Sequence, residues 1–525
     1  MSTQPLVIVI LAAGKGTRMK SETPKVMHTL AGKPMISWLL ETCESLNPQK
    51  IITVIGPDMP ELRKTVAPHE TVIQENRNGT GGALKCALPA LKDFKGKLLV
   101  LMGDEPLVGL KTLQQLAAAQ TLAVQAFQTQ TPHGLGRIIL KESGTLKTII
   151  EEADCTNDQK TITLCNAGNY CIPSENLQNW LDQIDENNAQ SEIYLTDLPV
   201  IAAKDGVETT VISSHWMGPW GVNDRIQLAV HEKMAQTILR EKALLNGVAM
   251  IDPNTVYFYY DTQIAQGTTI EPNVFFGPNV EIADNVTIKA FSHIEGATIK
   301  SGATIGPFAR IRPETEIAED VRIGNFVEIK KSTIGKGSKI NHHGYVGDTQ
   351  MGADVNFSCG AITVNYDGFE KHKTIIGDNV MVGSKVSLVA PITIGDDAFL
   401  AAGSTLTGDV ESNALAMTRP DAEVKKGWAA KYRKIKSAAK KTALVIVMLV
   451  ASTSVSMACE GFKTSMGALE KTLLAHHKNQ AQKQSTMPHL NSLNKDLDEL
   501  EKRVAEYHAK KAAQAKSQKP QSQKP

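Results

Sequence analysis

What the chain lacks narrows its class before any motif is read. Its 525 residues carry almost no net charge, +1 from 56 Lys and Arg against 55 Asp and Glu. No global electrostatic pull on a polyanion follows, so a nucleic-acid partner is not expected. Seven cysteines (Cys43, Cys86, Cys155, Cys165, Cys171, Cys359 and Cys459) are scattered, with no CxxC pair and no ligand-like cluster. An odd, dispersed set reads as free thiols in a cytoplasmic protein and excludes a disulfide framework. No basic leader precedes the apolar run Leu6–Ala13, which reads as a buried first strand and not as a secretory signal. Neither GxxxxGK[ST] nor GxGxxG occurs, which removes the ATPase P-loop and the dinucleotide fingerprint. The length asks for two or three domains.

What is present is a beat of six. Ile264, Ile270, Phe276, Ile282, Ile288 and Ile294 recur without a miss, and the beat resumes one residue early at Ile299, Ile305, Ile311, Ile317, Ile323 and Ile329. Two further slips bring Ile334, Ile340 and Val346, then Met351 and Phe357. After an interruption come Ile376, Val382, Leu388, Ile394, Leu400 and Leu406. Six matches neither the 3.6 of a helix nor the 2.0 of a lone strand. It suits a solenoid with one short strand and one corner per hexad, three strands per coil, and stacked isoleucines as a continuous core. Glycines directly after the inward residue (Gly277, Gly306, Gly324, Gly335, Gly377, Gly383 and Gly395) are expected to serve corners with unusual dihedrals.

Ahead of the beat the pattern differs. The strand Leu6–Leu11 runs into Ala12-Ala-Gly-Lys-Gly-Thr-Arg-Met19, where glycine lets backbone N–H groups approach phosphate and Lys15 and Arg18 add charge. On its own such a turn is equally an ordinary strand exit. Further strands at 51–55, 97–102, 121–129 and 137–140 alternate with helical stretches, predicting a mostly parallel sheet with ligand at the strands' carboxyl ends. Asp104 follows one such strand, where an aspartate either holds a divalent cation beside phosphates or caps a helix begun by Pro106. Apolar residues at Ile226, Leu228, Val230, Met234, Ile238 and Leu244 predict a helix across 223–245, stopped at Asn246-Gly247 and acting as a semi-rigid spacer.

Leu11-Ala-Ala-Gly-Lys-Gly-Thr-Arg-Met19 with Pro24-Lys25 resembles the signature loop of sugar-1-phosphate nucleotidyltransferases. Joined to the hexads, the chain to about Trp428 resembles the GlmU family, bifunctional enzymes of bacterial UDP-N-acetylglucosamine synthesis. The resemblance implies an α/β Rossmann-like nucleotidyltransferase domain (1–225), a helical linker (226–247) and a left-handed parallel β-helix of hexapeptide repeats (248–428) that carries the acetyltransferase. It implies that Leu11, Ala12, Ala13, Gly14, Gln74, Gly79 and Thr80 hold UTP, with Met102 and Gly103 alongside and Lys25 on the phosphates. Gly136, Glu151 and Asn166 would bind N-acetylglucosamine-1-phosphate, and Asp104 with Asn223 would ligate Mg²⁺. The stretch Glu192-Ile-Tyr-Leu-Thr-Asp197 matches a pocket segment of the family. Met102, Gly82 and Ala167 stand where the family usually has tyrosine, histidine and threonine, which bears on selectivity more than on the reaction.

For the second activity, a sugar amine must lose a proton before it attacks a thioester, and histidine titrates in the right range. Of the adjacent His342 and His343, either could simply fill a corner. The resemblance puts His342 on the catalytic position and His343 in place of an apolar residue. It places Arg312, Lys330, Tyr345, Asn356 and Lys371 around glucosamine-1-phosphate. Cys359, which replaces an alanine, would line the acetyl-CoA site with Asn365, Tyr366, Ser384, Ala402 and Arg419. A homotrimer is implied, with sites shared between neighbouring chains. The alternative enzyme reading keeps nucleotidyl transfer alone and makes the β-helix an oligomerising module. A scaffold reading leaves Lys25, Asp104 and Asn223 without a purpose.

The resemblance fades in the tail (429–525), read as helical and then disordered. A basic flank, the apolar run Ala443–Ala451 within 442–458, and Ser456-Met-Ala-Cys459 leave three readings open. They are a weak membrane anchor, a helix packed on the trimer, and a second reading frame fused to the first. The run is short of the roughly 20 residues of a spanning helix. Leu490, Leu493, Leu497, Leu500, Val504 and Tyr507 fit a short coiled coil over 490–507 or an ordinary amphipathic helix. The last residues, rich in Lys, Gln, Ser and Pro, read as disordered.

Overall fold

A computed structural model of the chain describes residues 4–214, 221–418 and 421–441. The apolar run 442–458, Cys459, the segment 490–507 and Arg419 lie outside them. Two units separate at residue 420. In the second, 428–441 are helical and every residue of 421–441 is exposed.

The first unit opens with a nine-stranded sheet. Its main path runs Thr210–Ser214, Ala123–Gln128, Leu164–Pro173, Lys97–Met102, Leu6–Leu11, Lys50–Ile55, Glu70–Ile73. Leu164–Pro173 runs against both its neighbours and the rest of that path is parallel. The central strands read as unbroken apolar runs because helices cover both faces, so alternation gives way to continuous burial. Leu6–Leu11 and Lys97–Met102 lie side by side with Leu11 opposite Met102, which delivers the signature loop and Asp104 to the same sheet edge.

The helix Arg225–Leu245 begins where Asp224 accepts a bond from the Gln227 amide at 2.9 Å. Its buried face departs from the apolar stripe expected of it: Ile226 is exposed, while His231, Gln236 and Arg240 are buried. Gln236 both donates to the Phe258 carbonyl (2.7 Å) and accepts from its amide (2.9 Å), and Arg240 reaches the Pro253 carbonyl at 2.8 Å. Polar pairing lets a helix of low average hydropathy dock. The spacer reading needs correction too, since the halves touch directly. The Tyr260 amide donates to the Ala31 carbonyl (2.9 Å), the Tyr259 hydroxyl to the Gly32 carbonyl (3.2 Å), and Glu232 accepts from the Ala31 amide (2.7 Å).

Beyond it, three parallel sheets of ten, eight and eight short strands form the sides of a prism. Their registers stack the beat as expected, with Ile270, Ile288, Ile305, Ile323, Ile340, Phe357, Val382 and Leu400 in one row, each buried. The interruption is shorter than the spacing implies. Thr363 takes the inward place after Phe357, with its hydroxyl satisfied by the Gly347 backbone at 2.9 and 3.2 Å. Only Asn365–Lys373 leaves the coil before Thr374 rejoins it.

The glycine expectation fails in an informative way. Of the seven glycines after the inward residue, only Gly306 has a positive φ. The others are required because the next coil is too close. A Cβ on Gly324 would meet the Asn341 carbonyl oxygen at 1.9 Å, and one on Gly383 the Leu400 oxygen at 2.5 Å. The left-handed residue comes two places later and is mostly not glycine: Asn273, Asn279, Asn285, Phe291, Phe308, Asp320, Phe326, His343, Asp354 and Asn379 all have φ between 48° and 62°. Asn and Asp tolerate that region best. The aromatic members offset the strain by stacking: Phe291, Phe308, Phe326 and His343 form a ladder with centroids 4.8, 5.2 and 5.1 Å apart.

Candidate functional sites

At the carboxyl edge of the first sheet lies a cavity of about 330 Å³. Leu11, Ala12, Ala13, Gly14, Lys25, Gln74, Gly79, Thr80, Met102 and Asp104 line it, and Lys15, Arg77 and Glu192 do so as well. Gly103 lies directly against Leu11 and Ala12, its amide donating to the Leu11 carbonyl at 2.9 Å. The loop is held from behind by Arg77, whose Nε donates to the Ala13 carbonyl at 2.6 Å and whose other nitrogen pairs with Asp58. Nothing in the spacing around Arg77 announced this clamp. Gly79 has φ +99, and a Cβ there would strike the Ile193 oxygen at 2.6 Å, so that corner admits only glycine. Gly82 makes room for Asn78, whose Oδ1 would lie 2.1 Å from a Cβ.

Asp104 caps no helix; the next one, Leu110–Ala118, starts from Gly109. Its carboxylate contacts the Lys25 ammonium, which also donates to Asn223 Oδ1 at 3.0 Å. Arg18 reaches the same Asn223 oxygen at 3.0 Å. Asp104 and Asn223 thus aim two hard oxygens at one point, the donor set that suits a divalent cation completed by phosphate oxygens and water. Among the described residues no group of three or more His, Cys, Asp or Glu could hold a metal unaided. Behind Asp104, burial and the neighbouring carboxylate push Glu105 well above the usual range.

Gly136, Glu151 and Asn166 meet toward the carboxyl end of Ala123–Gln128, where Asn166 stands opposite Ala126. The Asn166 amide donates to the Gly136 carbonyl at 2.8 Å, and a Cβ on Gly136 would lie 3.5 Å from both Asn166 Cβ and Glu151 Oε1. Burial raises the Glu151 carboxyl, against a lowering hydrogen bond with Thr196. Ala167 packs with Phe127 and Cys165.

In the prism, the expected acetyltransferase residues fall into two groups at two corners of one side. At the first, Asn325 pairs in register with His342, and Asn325 Oδ1 lies 3.1 Å from His342 Nδ1. An Nδ1–H donated there leaves Nε2 free to take a proton. Cys359, Ser384 and Ala402 stand one, two and three coils further along the same column, linked by bonds from Gly360 to His342, Lys385 to Cys359 and Gly403 to Ser384. Asn356 lies on the adjoining strand, 3.1 Å from Met381 Sδ. The two histidines are distinct: His342 faces the column, and His343 is the last rung of the aromatic ladder.

At the second corner stand Arg312, Lys330 and Lys371. Lys371 beside it holds the Lys330 ammonium below its ordinary value. Arg312 pairs with Glu328 at 2.8 Å but keeps a buried Nε with no protein partner. Concentrated cations with an orphan donor make an anion site. Tyr345 extends toward it, its hydroxyl 2.4 Å from where a Gly347 Cβ would be, close to Asn365. Asn365 donates to Asp348 at 2.5 Å, and Tyr366 lies on the excursion, bridged to Lys371.

Comparison with known proteins agrees with both halves. Family models match a MobA-like NTP transferase domain over residues 8–164, a GMPPB C-terminal domain over 293–396 and the bacterial transferase hexapeptide (six repeats) over 261–296. Proteins named "Bifunctional protein GlmU" match along nearly their whole length. The one from Paramagnetospirillum magneticum is 46% identical over 447 residues, 84% of this chain and 99% of that protein. Those from Zymomonas mobilis and Sphingopyxis alaskensis are 44% and 42% identical, over 82% and 83% of this chain and 98% and 99% of their own.

Proposed function

This chain belongs to the GlmU family, and from that membership together with the geometry above we propose how its two sites divide the work. The protein is an N-acetylglucosamine-1-phosphate uridyltransferase and a glucosamine-1-phosphate N-acetyltransferase on a left-handed β-helix. In our reading, residues 1–225 carry the first activity, 226–247 link the halves, 248–428 carry the second, and 429–525 are a tail with no assigned role.

In the uridyl site the Leu11–Gly14 loop, Gln74, Gly79 and Thr80 take the nucleotide. Gly136, Glu151 and Asn166 take the sugar. A sugar-phosphate oxygen bonds to the α-phosphorus of UTP as the bond to the β-phosphate breaks and pyrophosphate leaves. Mg²⁺, when bound by Asp104 and Asn223, supplies charge stabilisation at the phosphates. Lys25 and Arg18 offer positive charge to the same oxygens, and Arg77 keeps the loop in shape to receive them. The observation that carries this half is that Lys25, which lines the cavity with Asp104 and the signature loop, contacts both Asp104 and Asn223.

In the acetyl site Lys330, Lys371 and Arg312 take the phosphate of glucosamine-1-phosphate. Tyr345 and Asn356 orient the sugar. His342 Nε2 removes a proton from the amine, whose nitrogen bonds to the acetyl carbon while the thiolate of coenzyme A departs. Asn325 holds the ring in the tautomer this needs. Cys359, Asn365, Tyr366, Ser384 and Ala402 line the acetyl-CoA channel. The His342 column and the cation cluster occupy separate corners, which supports assembly as a homotrimer with each site completed by a neighbour. Scattered free thiols support a cytoplasmic setting; among the described residues no helix is long and apolar enough to cross a membrane.

Each half-reaction, supplied separately with Asp104→Ala and His342→Ala proteins, tests the division. Each substitution is expected to silence one activity and spare the other. Loss of both in either variant overturns it.

A further inference from the structure

Directly beneath the proposed cation site lies a buried polar cluster that neither reaction uses. Asn169 is fully buried, and both its amide hydrogens and its carbonyl oxygen are hydrogen-bonded. Its amide donates to Glu105 Oε2 at 2.5 Å and to Gln125 Oε1 at 2.8 Å, and its carbonyl oxygen accepts from the Met102 backbone at 3.1 Å. Glu105 and Gln125 are also buried, at 4% and 1% exposure, so the cluster has no access to bulk water.

Its placement is specific. Leu164–Pro173 breaks register between Asn166, opposite Ala126, and Tyr170, opposite Val124, so a bulge faces Gln125. Gly168 allows it with φ +86, in a spot where a Cβ would lie 2.8 Å from Met102 Cγ. The bulge turns Asn166 toward the sugar side and Asn169 toward the end of Lys97–Met102. That strand end is a tight turn, closed by the Glu105 amide on the Met102 carbonyl (3.1 Å) and by the Val222 amide on the Asp104 carbonyl (2.9 Å). Within it Glu105 points inward to Asn169 while Asp104 points outward to Lys25, which also bonds to Asn223.

We infer that Asn169, through Glu105 and the Met102 amide, is a positioning residue that sets the Asp104 carboxylate for its cation, and that the bulge ties this setting to the sugar side. The inference rests on the proposed uridyl site. Such supporting groups behind a ligand typically account for 10- to 100-fold in metal affinity. A cluster serving stability alone would leave that affinity unchanged in whatever protein folds.

The test uses the full chain with Asn169→Leu, Asn169→Asp and the swap of Asn169→Asp with Glu105→Gln. For each, half-saturating Mg²⁺ in uridyl transfer and Mn²⁺ affinity of the nucleotide-free protein are measured, with acetyl transfer as the folding reference. Expected are a roughly tenfold higher Mg²⁺ midpoint and weaker Mn²⁺ binding in both single variants, at little cost in acetyl transfer. The swap faces a donor with an acceptor again and brings the midpoint back toward wild type. Asn169→Asp is isosteric and keeps the experiment decisive should Asn169→Leu fail to fold. Unmoved midpoints in folded variants overturn the inference. A wild-type protein with no Mg²⁺-dependent uridyl transfer would instead overturn the site reading beneath it.

Discussion

Replacing Lys25 by methionine should make the metal-free protein bind a divalent cation more tightly, although it removes a group the reaction needs. The ammonium sits between Asp104 and Asn223, where a cation with those ligands would lie, and the Lys25 and Asp104 side chains are only 14% and 17% exposed. Cation and ammonium therefore compete for one carboxylate. A hydrogen bond to a charged group in such a setting contributes about 1.5–3 kcal/mol. At 1.4 kcal/mol per decade, removing the competitor tightens binding about 10- to 100-fold. Arg18 stays on Asn223, which favours the lower end of that range. Titrating nucleotide-free protein with Mn²⁺, followed by electron paramagnetic resonance, reads this directly, and Asp104→Ala should abolish the site. When UTP is present the order reverses: Lys25 has phosphates to move to, and its loss lowers turnover. Unchanged or weaker Mn²⁺ binding by the Lys25→Met protein without nucleotide would refute the competition.

Three other outcomes follow from the packing and the electrostatics. Gly324→Ala places a methyl 1.9 Å from the Asn341 oxygen and should cost about 3 kcal/mol or more, whereas Asn279→Gly, at φ 55°, should change stability by no more than about 1 kcal/mol. Thermal inactivation of acetyl transfer ranks the two, and equal losses would contradict the corner assignment. Among the cysteines of the described residues, thiol labelling of the folded protein at mildly alkaline pH should mark exposed Cys359 first. Burial pushes Cys43 up to about 12 and Cys171 up to about 11, so both stay unlabelled until the chain unfolds. Glu151 is raised by burial, so on acidification it takes up a proton earlier than an ordinary glutamate. The sugar-phosphate KM should therefore rise at a higher pH than a solvent-exposed carboxylate would dictate, and Glu151→Gln should flatten that limb.

Period and composition were enough for the prism core, because a residue facing inward must be apolar in every coil and the coil repeats locally. Ile270 through Leu406 could be placed inside without any knowledge of what they touch. The signature loop and the strand ending at Asp104 were legible for a similar reason, since both are short runs whose chemistry is written in consecutive residues. Less visible was the inward Thr363, because a hydroxyl satisfied by Gly347 looks polar until its partners are known. The glycines were visible but misjudged: their spacing is a fact of sequence, whereas the carbonyl of Asn341 against Gly324 is a fact of coil-to-coil distance.

Contacts between distant parts of the chain were decided only by the tertiary structure. Lys25 meets Asn223, Arg77 holds Ala13, and Asn169 joins Glu105 to Gln125, each across tens to hundreds of residues. The docking face of Arg225–Leu245 is also of this kind: Gln236 and Arg240 read as solvent-facing until Phe258 and Pro253 supply their bonds. The division has one physical cause. Burial in a repeating coil depends on near neighbours that recur along the chain, so sequence alone determined it. A polar side chain's role depends on which remote partner satisfies it, and only folding brings that partner within reach.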